Sequence, residues 1–389
     1  MRSLRGNDQS VVRVLNRNAI FNTLHREGSL SRAQLRERSG LSGAAVTGVV
    51  ADLLQLGLVE EHAAGPSTGG RPPVMLTVNY KAQAAVGVKL MEREFQAVLT
   101  DLGGEVQHHL RRPLPSLDPA EVVRAVGDAV EALLTQTHTS RTRLTGLGVG
   151  LPGVIDAAGG VCVQSGYLGW RDVPLARLLE DALGVPVTID NDVNAFAAAE
   201  RLFGHGKGAA HLAVVTLGRG VGAGLIVNGQ PLRGRDGGAG EFGHLVSEPG
   251  GRPCECGKRG CLEAYASEGA LLARARETAP DLDLPDIGAL LAGQADPRIG
   301  DVLRDAGTRV GVQLANLVNL VNPELIVVGG DGVRLGEAFF APMREALFAN
   351  TFGGLGRDLP VIVEPWGDDA WARGAASLAI SRTFDLEVT

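Results

Sequence analysis

The 389-residue sequence is poor in aromatic side chains, at 4%, and holds only four cysteines. No apolar run approaches the roughly 20 residues that span a bilayer, and the opening MRSLRGNDQSVVRVLNRNAI lacks the apolar segment of a secretory signal. These absences argue against a membrane-spanning or exported protein, and a cytoplasmic one is expected. Lysine is missing from residues 1–78, where nine arginines face six acidic residues for a net charge of +3. The whole chain carries −7, so the remainder carries −7 − 3 = −10. That division points to a polyanionic partner for the head and not for the body. The length accommodates two or three domains, each with its own core.

In the head, three stretches repeat apolar residues at helical spacing: VVRVLNRNAIFNTLHREG, SRAQLRERSG and SGAAVTGVVADLLQLG. Val11, Val14, Leu15, Ile20 and Leu24 can share one face of the first, and Val46, Val49, Val50, Leu53 and Leu54 one face of the third. Ser31 and Ser42 stand at N-cap positions, with Gly28, Gly40 and Gly57 at C-cap positions. A short helix, the turn SGLS and a second helix have helix-turn-helix spacing, and LVEEHAAGPSTGGRPPVMLTVN reads as two strands around a Gly/Pro-rich tip. A winged helix-turn-helix over residues 1–78 is therefore expected. A small helical oligomerisation module would share the helical pattern, but the basic charge and the wing favour DNA. The recognition helix offers few base-reading donors, since Gly43, Ala44, Ala45 and Gly48 have none in their side chains. Readout would rest on Ser42, on Thr47 and on methyl contact through Ala44. Arg71 in GGRPP either enters a narrow minor groove or is a solvated loop charge.

From about residue 82, strand and helix patterns alternate, as in an α/β protein. Strands are expected at 84–90, 95–101, 146–151, 185–190, 212–217, 222–228 and 324–329. Two hairpins look alike, AVGVKLMEREFQAVLTDLGG and LAVVTLGRGVGAGLIVNGQ. The second keeps Gly218, Gly220, Gly222 and Gly224 in and around its turn, where the first has Lys89, Met91, Glu92 and Arg93. Glycine lets backbone N–H groups approach a phosphate, so duplicated halves of this kind could cradle a nucleotide. Glycine turns alone are weak evidence, being common in tight hairpins.

The segment GEFGHLVSEPGGRPCECGKRGCLEAYAS carries stronger chemistry. His244, Cys254, Cys256 and Cys261 make a Cys3His set suited to tetrahedral Zn²⁺. Disulfides are the competing reading, but three clustered cysteines leave one unpaired and a cytosolic chain rarely keeps them. Cys162, in an apolar strand context, reads as core.

The run from Gly240 to Glu263 resembles the ExGH and CxCGxxGCxE motifs of the ROK family, whose members are bacterial sugar kinases and sugar-responsive transcriptional repressors. GLGVGLPGVID at 146–156, IDNDVNAFAAAE at 189–200 and NLVNLVNPELIVVGG at 316–330 also look like family segments, and the winged head ending in GGRPP is similar to that of the repressor branch. The resemblance implies an α/β, actin-like (ribonuclease H-like) two-lobed sugar-kinase fold at 79–389. Lobe one would be 80–192 plus 369–389, lobe two 193–368, and sugar would bind between them. Asn191, Asp192, Glu241, His244 and Glu263 match the family's sugar-binding positions, and Asp192 would be the catalytic base in a kinase. His244 would give one ring nitrogen to zinc and the other to a hydroxyl.

Family kinases carry an Asp-x-Gly-Gly-Thr type turn in the first hairpin, for magnesium and the ATP phosphates. Lys89 through Arg93 replace it here, and Arg219 stands where the second hairpin usually has Thr. Lys89 cannot ligate Mg²⁺, whereas an arginine can still bind phosphate. The resulting expectation is a non-catalytic, sugar-responsive repressor acting on operator DNA as a homodimer or homotetramer. A monosaccharide or sugar phosphate would close the lobes, reorient the heads and release the operator. The alternatives are an ATP-dependent sugar kinase, favoured by Asp192, and a zinc-stabilised scaffold, which leaves the acidic positions unexplained.

Overall fold

Serines cap the second and third helices of the head, and a glycine in left-handed conformation follows each of the three. The computed structural model describes residues 9–62, 73–365, 367 and 369–384. The head runs α1 (Gln9–Glu27), β1 (Leu30–Ser31), α2 (Arg32–Ser39), α3 (Gly43–Gln55), β2 (Val59–His62) and β3 (Met75–Val78). Ser31 and Gln34 form a reciprocal capping box at α2, and Ser42 Oγ accepts the Ala45 N–H at 3.2 Å to cap α3. Gly40 ends α2 at φ +69°, a left-handed conformation that side chains disfavour. The strands pair in the order β1-β3-β2, antiparallel throughout, which makes the expected wing. Its tip, with Arg71, lies outside the described residues.

One expectation for α1 is corrected. Ile20 and Leu24 are buried, but Val14 and Leu15 are 40% and 39% exposed. Length is the reason: a 19-residue helix outruns a core built with helices of 8 and 13 residues. The C-terminal half of α1 buries Asn18, Thr23 and His25 along with its apolar residues, and the His25 ring nitrogen Nδ1 lies 2.9 Å from the Tyr80 hydroxyl just past the wing.

The body begins with β4 (Ala84–Leu90), β5 (Glu94–Asp101), β6 (Val106–Pro113), α4 (Pro119–Gln136) and β7 (Leu144–Leu151). A short meander follows, β8 (Val154–Asp156), β9 (Val161–Ser165) and β10 (Trp170–Val173), then α5 (Leu175–Leu183), β11 (Val187–Asn191) and α6 (Asp192–Phe203). The second half holds β12 (Leu212–Leu217), β13 (Val221–Val227), β14 (Gln230–Pro231), α7 (Glu263–Ala266), α8 (Glu268–Thr278), α9 (Ile287–Ala292) and α10 (Pro297–Val321). It closes with β15 (Leu325–Gly329), α11 (Glu337–Asn350), β16 (Val361–Val363) and α12 (Ala370–Phe384).

The two five-stranded sheets have one topology. Their orders are β11-β7-β4-β5-β6 and, read in the same sense, β16-β15-β12-β13-β14. Each is an antiparallel hairpin widened by later strands, so the likeness of the two hairpins reflects two halves of one plan. All seven expected strands are present within a few residues. β6 escaped notice because VQHHLRRP is an exposed, polar edge, and the meander because its strands are three to five residues long.

Period-two alternation divides the second sheet between two cores. Ala213, Val215 and Leu217 of β12 and Ile326 and Val328 of β15 face α8, α10 and α11. Leu212, Val214, Leu325 and Val327 face Phe196 and Ala197 of α6. The chain forms two compact units. One comprises residues up to Val149, Leu175–Thr188 and those from Ala375 on; the other comprises Gly150–Pro174 and Ile189–Gly374. The boundaries differ from the expected lobes, because the meander packs with the second half: a Cβ at Gly237 would collide with the Ile155 carbonyl. Among the described residues no helix is long and apolar enough to cross a membrane.

On α6, Glu200 is 7% exposed and accepts the His205 N–H at 3.1 Å. Burial pushes its carboxyl pKa up and Glu364 adds to this, against His205 and Arg373. A carboxyl whose folded pKa exceeds its unfolded value stabilises the fold below the unfolded pKa, and that stability is lost as pH rises through the folded pKa. Glu200→Gln keeps an acceptor for the His205 N–H. We therefore expect a higher melting temperature than wild type at neutral pH, with the difference vanishing toward about pH 4, near the unfolded carboxyl value. A lower melting temperature at neutral pH would mean that the hydrogen bonds to the carboxylate outweigh its burial.

Candidate functional site

Local turns assemble the thiol cluster. A single 3-10 turn, Phe242–His244, is anchored by the buried Phe242 and carries His244. The Cys254 N–H donates to the Lys258 carbonyl at 2.9 Å and the Gly257 N–H to the Cys254 carbonyl at 3.0 Å, folding Cys254–Lys258 into a knuckle. Isolated antiparallel bridges pair Val246 with Cys261 and Pro253 with Arg259. The His244 nitrogen and the three sulfurs thereby lie within 4.8 Å of one another, a group that could hold a metal ion. Cys256 and Cys261 Sγ are 3.7 Å apart, and Cys254 Sγ is 3.7 Å from His244 Nδ1. A tetrahedron with metal–sulfur bonds of about 2.3 Å has edges of roughly 3.8 Å, so the spacing fits a closed four-ligand site. Burial pushes the Cys254 thiol up to about 12. Cys162, as expected, is fully buried in β9.

The other face of the same imidazole meets carboxylates. His244 Nε2 lies 3.8 Å from Glu241 Oε2, while Nδ1 faces the thiols. Burial raises the Glu241 pKa, opposed by His244 and reinforced by Glu263 and Asp192, so the three acids are within electrostatic reach of one another. Glu263 opens α7 two residues after Cys261, on the segment the cluster clamps, and its Oε2 accepts the Val221 N–H at 3.0 Å. Asp192 is the first residue of α6. Three acids and one imbedded imidazole offer several acceptors and an imidazole nitrogen, a set matched to adjacent hydroxyls.

Asn191, expected among the sugar contacts, caps α6. Its Oδ1 accepts the Val193 N–H at 2.9 Å and its Nδ2 donates to the Gly153 carbonyl at 3.0 Å. Its neighbour Asp190, overlooked in the sequence, is 1% exposed; it takes hydrogen bonds from Arg233 Nε at 2.9 Å and Asn194 Nδ2 at 3.0 Å. This half-buried ion pair holds the strand end from which Asp192 projects. The only sequence signal was a second carboxylate in IDND.

Two glycines of the second hairpin, Gly222 and Gly224, serve packing. A Cβ at Gly222 would lie 2.9 Å from Val193 Cγ2, and one at Gly224 2.7 Å from the Val193 carbonyl, so α6 rests directly on β13. At Gly220 a Cβ would stand 3.1 Å from Glu263 Oε2. The exposed Arg219 guanidinium stacks 4.7 Å from the centre of the Tyr167 ring, a contact not foreseen from the sequence. In the first hairpin Lys89 is 8% exposed within β4, and the Met91 N–H donates to the Glu94 carbonyl at 3.0 Å.

On α3 the buried residues are Val46, Val49, Val50 and Leu53, which leaves Ala44, Thr47, Gly48 and Ala51 on the exposed side. Thr47 Oγ1 donates to the Gly43 carbonyl at 2.9 Å and Ser42 Oγ serves the cap, so both hydroxyls are engaged locally. A stripe of such small side chains permits close approach to a groove. Arg13, Arg32 and Arg38 pair with Asp52, Glu61 and Glu27, whereas the exposed Arg36 lies beside Gly43 at the start of α3. Arg36 carries no signal in the sequence, because it lies on α2, the supporting helix of the helix-turn-helix.

Head and body together define a class, the sugar-responsive transcriptional repressors. Residues 85–382 match the ROK family, and the chain belongs to that family. It is 32% identical to the xylose repressor of Bacillus subtilis over 379 residues, 97% of this chain and 98% of the relative. Among solved structures, a ROK family transcriptional regulator described as a homologue of the Escherichia coli MLC protein superposes with TM-score 0.85 at 26% identity, covering 96% of this chain and 97% of that one. A ROK family glucokinase from Streptomyces griseus, in complex with glucose and AMPPNP, gives TM-score 0.64 at 30% identity over 76% of this chain and 98% of its own.

Proposed function

We propose that the protein is a repressor that leaves its operator when a monosaccharide or sugar phosphate is bound by Asp192, Glu241, His244 and Glu263. The observation that carries this is the two-faced imidazole, with Nδ1 toward the thiols and Nε2 toward Glu241. In this reading Zn²⁺ is held by His244, Cys254, Cys256 and Cys261. It acts structurally, fixing the ring so that Nε2 presents to a hydroxyl, while Asn191 and the Asp190–Arg233 pair orient Asp192. The DNA-binding head is residues 1–78, reading through Ser42, Ala44, Thr47 and Arg71, and the sugar-binding body is 79–389. The protein works as a homodimer or homotetramer in the cytoplasm, where operators lie and thiols stay reduced.

A kinase is disfavoured by both hairpin turns. Lys89 replaces a magnesium ligand, and in the second turn the Val221 N–H is taken by Glu263 while Arg219 lies on Tyr167. A thermal-shift screen of monosaccharides and sugar phosphates identifies the effector, with xylose the first to try given the B. subtilis relative. Incubation with that sugar, ATP and Mg²⁺ is expected to yield no sugar phosphate above background. Robust turnover would replace the repressor reading by the kinase.

A further inference from the structure

A cavity of about 400 Å³ lies where the head meets β7, β11 and α12, and none of the sugar-site acids or thiol ligands described above lines it. Its volume is within the roughly 300–1,000 Å³ typical of small-molecule sites. We propose that it binds a small hydroxylated anion, of the class of sugar phosphates and sugar acids, independently of the sugar site in the body.

Three features specify that chemistry. Arg17 of α1 and Arg382 of α12 both line the cavity, and among the described residues neither forms an ion pair. Asp52, the acid that feels Arg17, is held instead by Arg13, whose Nε lies 2.6 Å from its Oδ2. Two guanidiniums on one cavity attract an anion, and their fork geometry suits phosphate or carboxylate. Gln83 also lines the wall, and its Oε1 is buried with no hydrogen-bond partner among the described residues. A buried acceptor without a donor is costly, so a ligand that brings a hydroxyl relieves it. Phe21, Leu56 and Pro186 supply apolar wall against which carbon can pack. Because Arg17 belongs to the head and Arg382 to the C-terminal helix, an anion bridging them braces the head against the body.

The test is calorimetric titration of the full chain with glucose 6-phosphate, 6-phosphogluconate, glucose and inorganic phosphate, in low salt. It is run on wild type and on Asp192→Ala, which weakens the proposed body site. The phosphorylated or acidic sugars are expected to keep a binding event on Asp192→Ala, whatever the body site adds in wild type. Adding Arg17→Gln or Arg382→Gln to Asp192→Ala is expected to weaken this binding at least about tenfold, the usual loss for a charge-assisted contact. Arg382 is exposed and Arg17 half-buried, and unchanged melting temperatures verify the fold. Gln83→Met is expected to weaken the sugar phosphate while leaving inorganic phosphate unchanged. The inference is overturned if no probe binds Asp192→Ala, if binding there ignores both arginine substitutions, or if inorganic phosphate binds as tightly as glucose 6-phosphate. A failure of the body site alone would appear instead as loss of the operator response with the cavity titration intact.

Discussion

Cys256→Ser is expected to lower bound zinc from about one ion per chain to background and to abolish operator release by sugar. The effect is large because a structural zinc site with a ligand removed loses much of a binding free energy of roughly 10–16 kcal/mol. Cys256 is exposed at the tip of the knuckle, so the substitution leaves the hydrophobic cores untouched. What it loosens is the segment from His244 to Cys261. The sugar response follows because His244 presents Nε2 to Glu241 from a ring whose Nδ1 faces Cys254, and because Glu263 stands two residues beyond Cys261. Metal analysis of protein prepared under reducing conditions, with gel shifts on the same samples, checks both halves. Wild-type protein free of zinc would show the cluster to be misread. A sugar response that survives in the metal-free variant would show that the metal does not position His244 for the sugar.

Asp192→Ala is expected to bind the operator with wild-type affinity and to require about 10- to 100-fold more sugar for release, the loss of a hydrogen bond from a hydroxyl to a charged acceptor. The helix survives the change, because the cap of α6 is Asn191 and not Asp192. Asn191→Ala is the informative contrast. It removes the cap and the tie to the Gly153 carbonyl, and should cost roughly 1 kcal/mol of stability as well as sensitivity to sugar. Gel-shift titrations with and without sugar, beside thermal denaturation, separate the two. If sugar leaves wild-type binding unchanged the coupling is wrong; if sugar strengthens it, the switch has the opposite sign.

Whatever depends on near neighbours was legible in the sequence. Ser31, Ser42 and Gly40 cap their helices through contacts within four residues, and the short apolar runs LAVVTL and LIVVG mark β12 and β15 as strands. The thiol cluster was legible for the same reason, since its ligands lie on one short looped segment whose spacing alone suggests a metal. Tertiary structure decided the rest. Val14 and Leu15 fit a helical face yet stay exposed, because how far a core extends along α1 depends on its partners. The glycines of the second hairpin suggested a phosphate cradle, and only the packing of α6 and the reach of Glu263 reveal what their missing side chains make room for. Asp190 finds Arg233 across 43 residues, Arg219 finds Tyr167, and Arg17, Gln83 and Arg382 meet around one cavity. Periodicity and spacing report what a residue does within its own turn or strand; which distant side chains share a site is set by the order in which strands join the sheets and by how closely the helices pack on them.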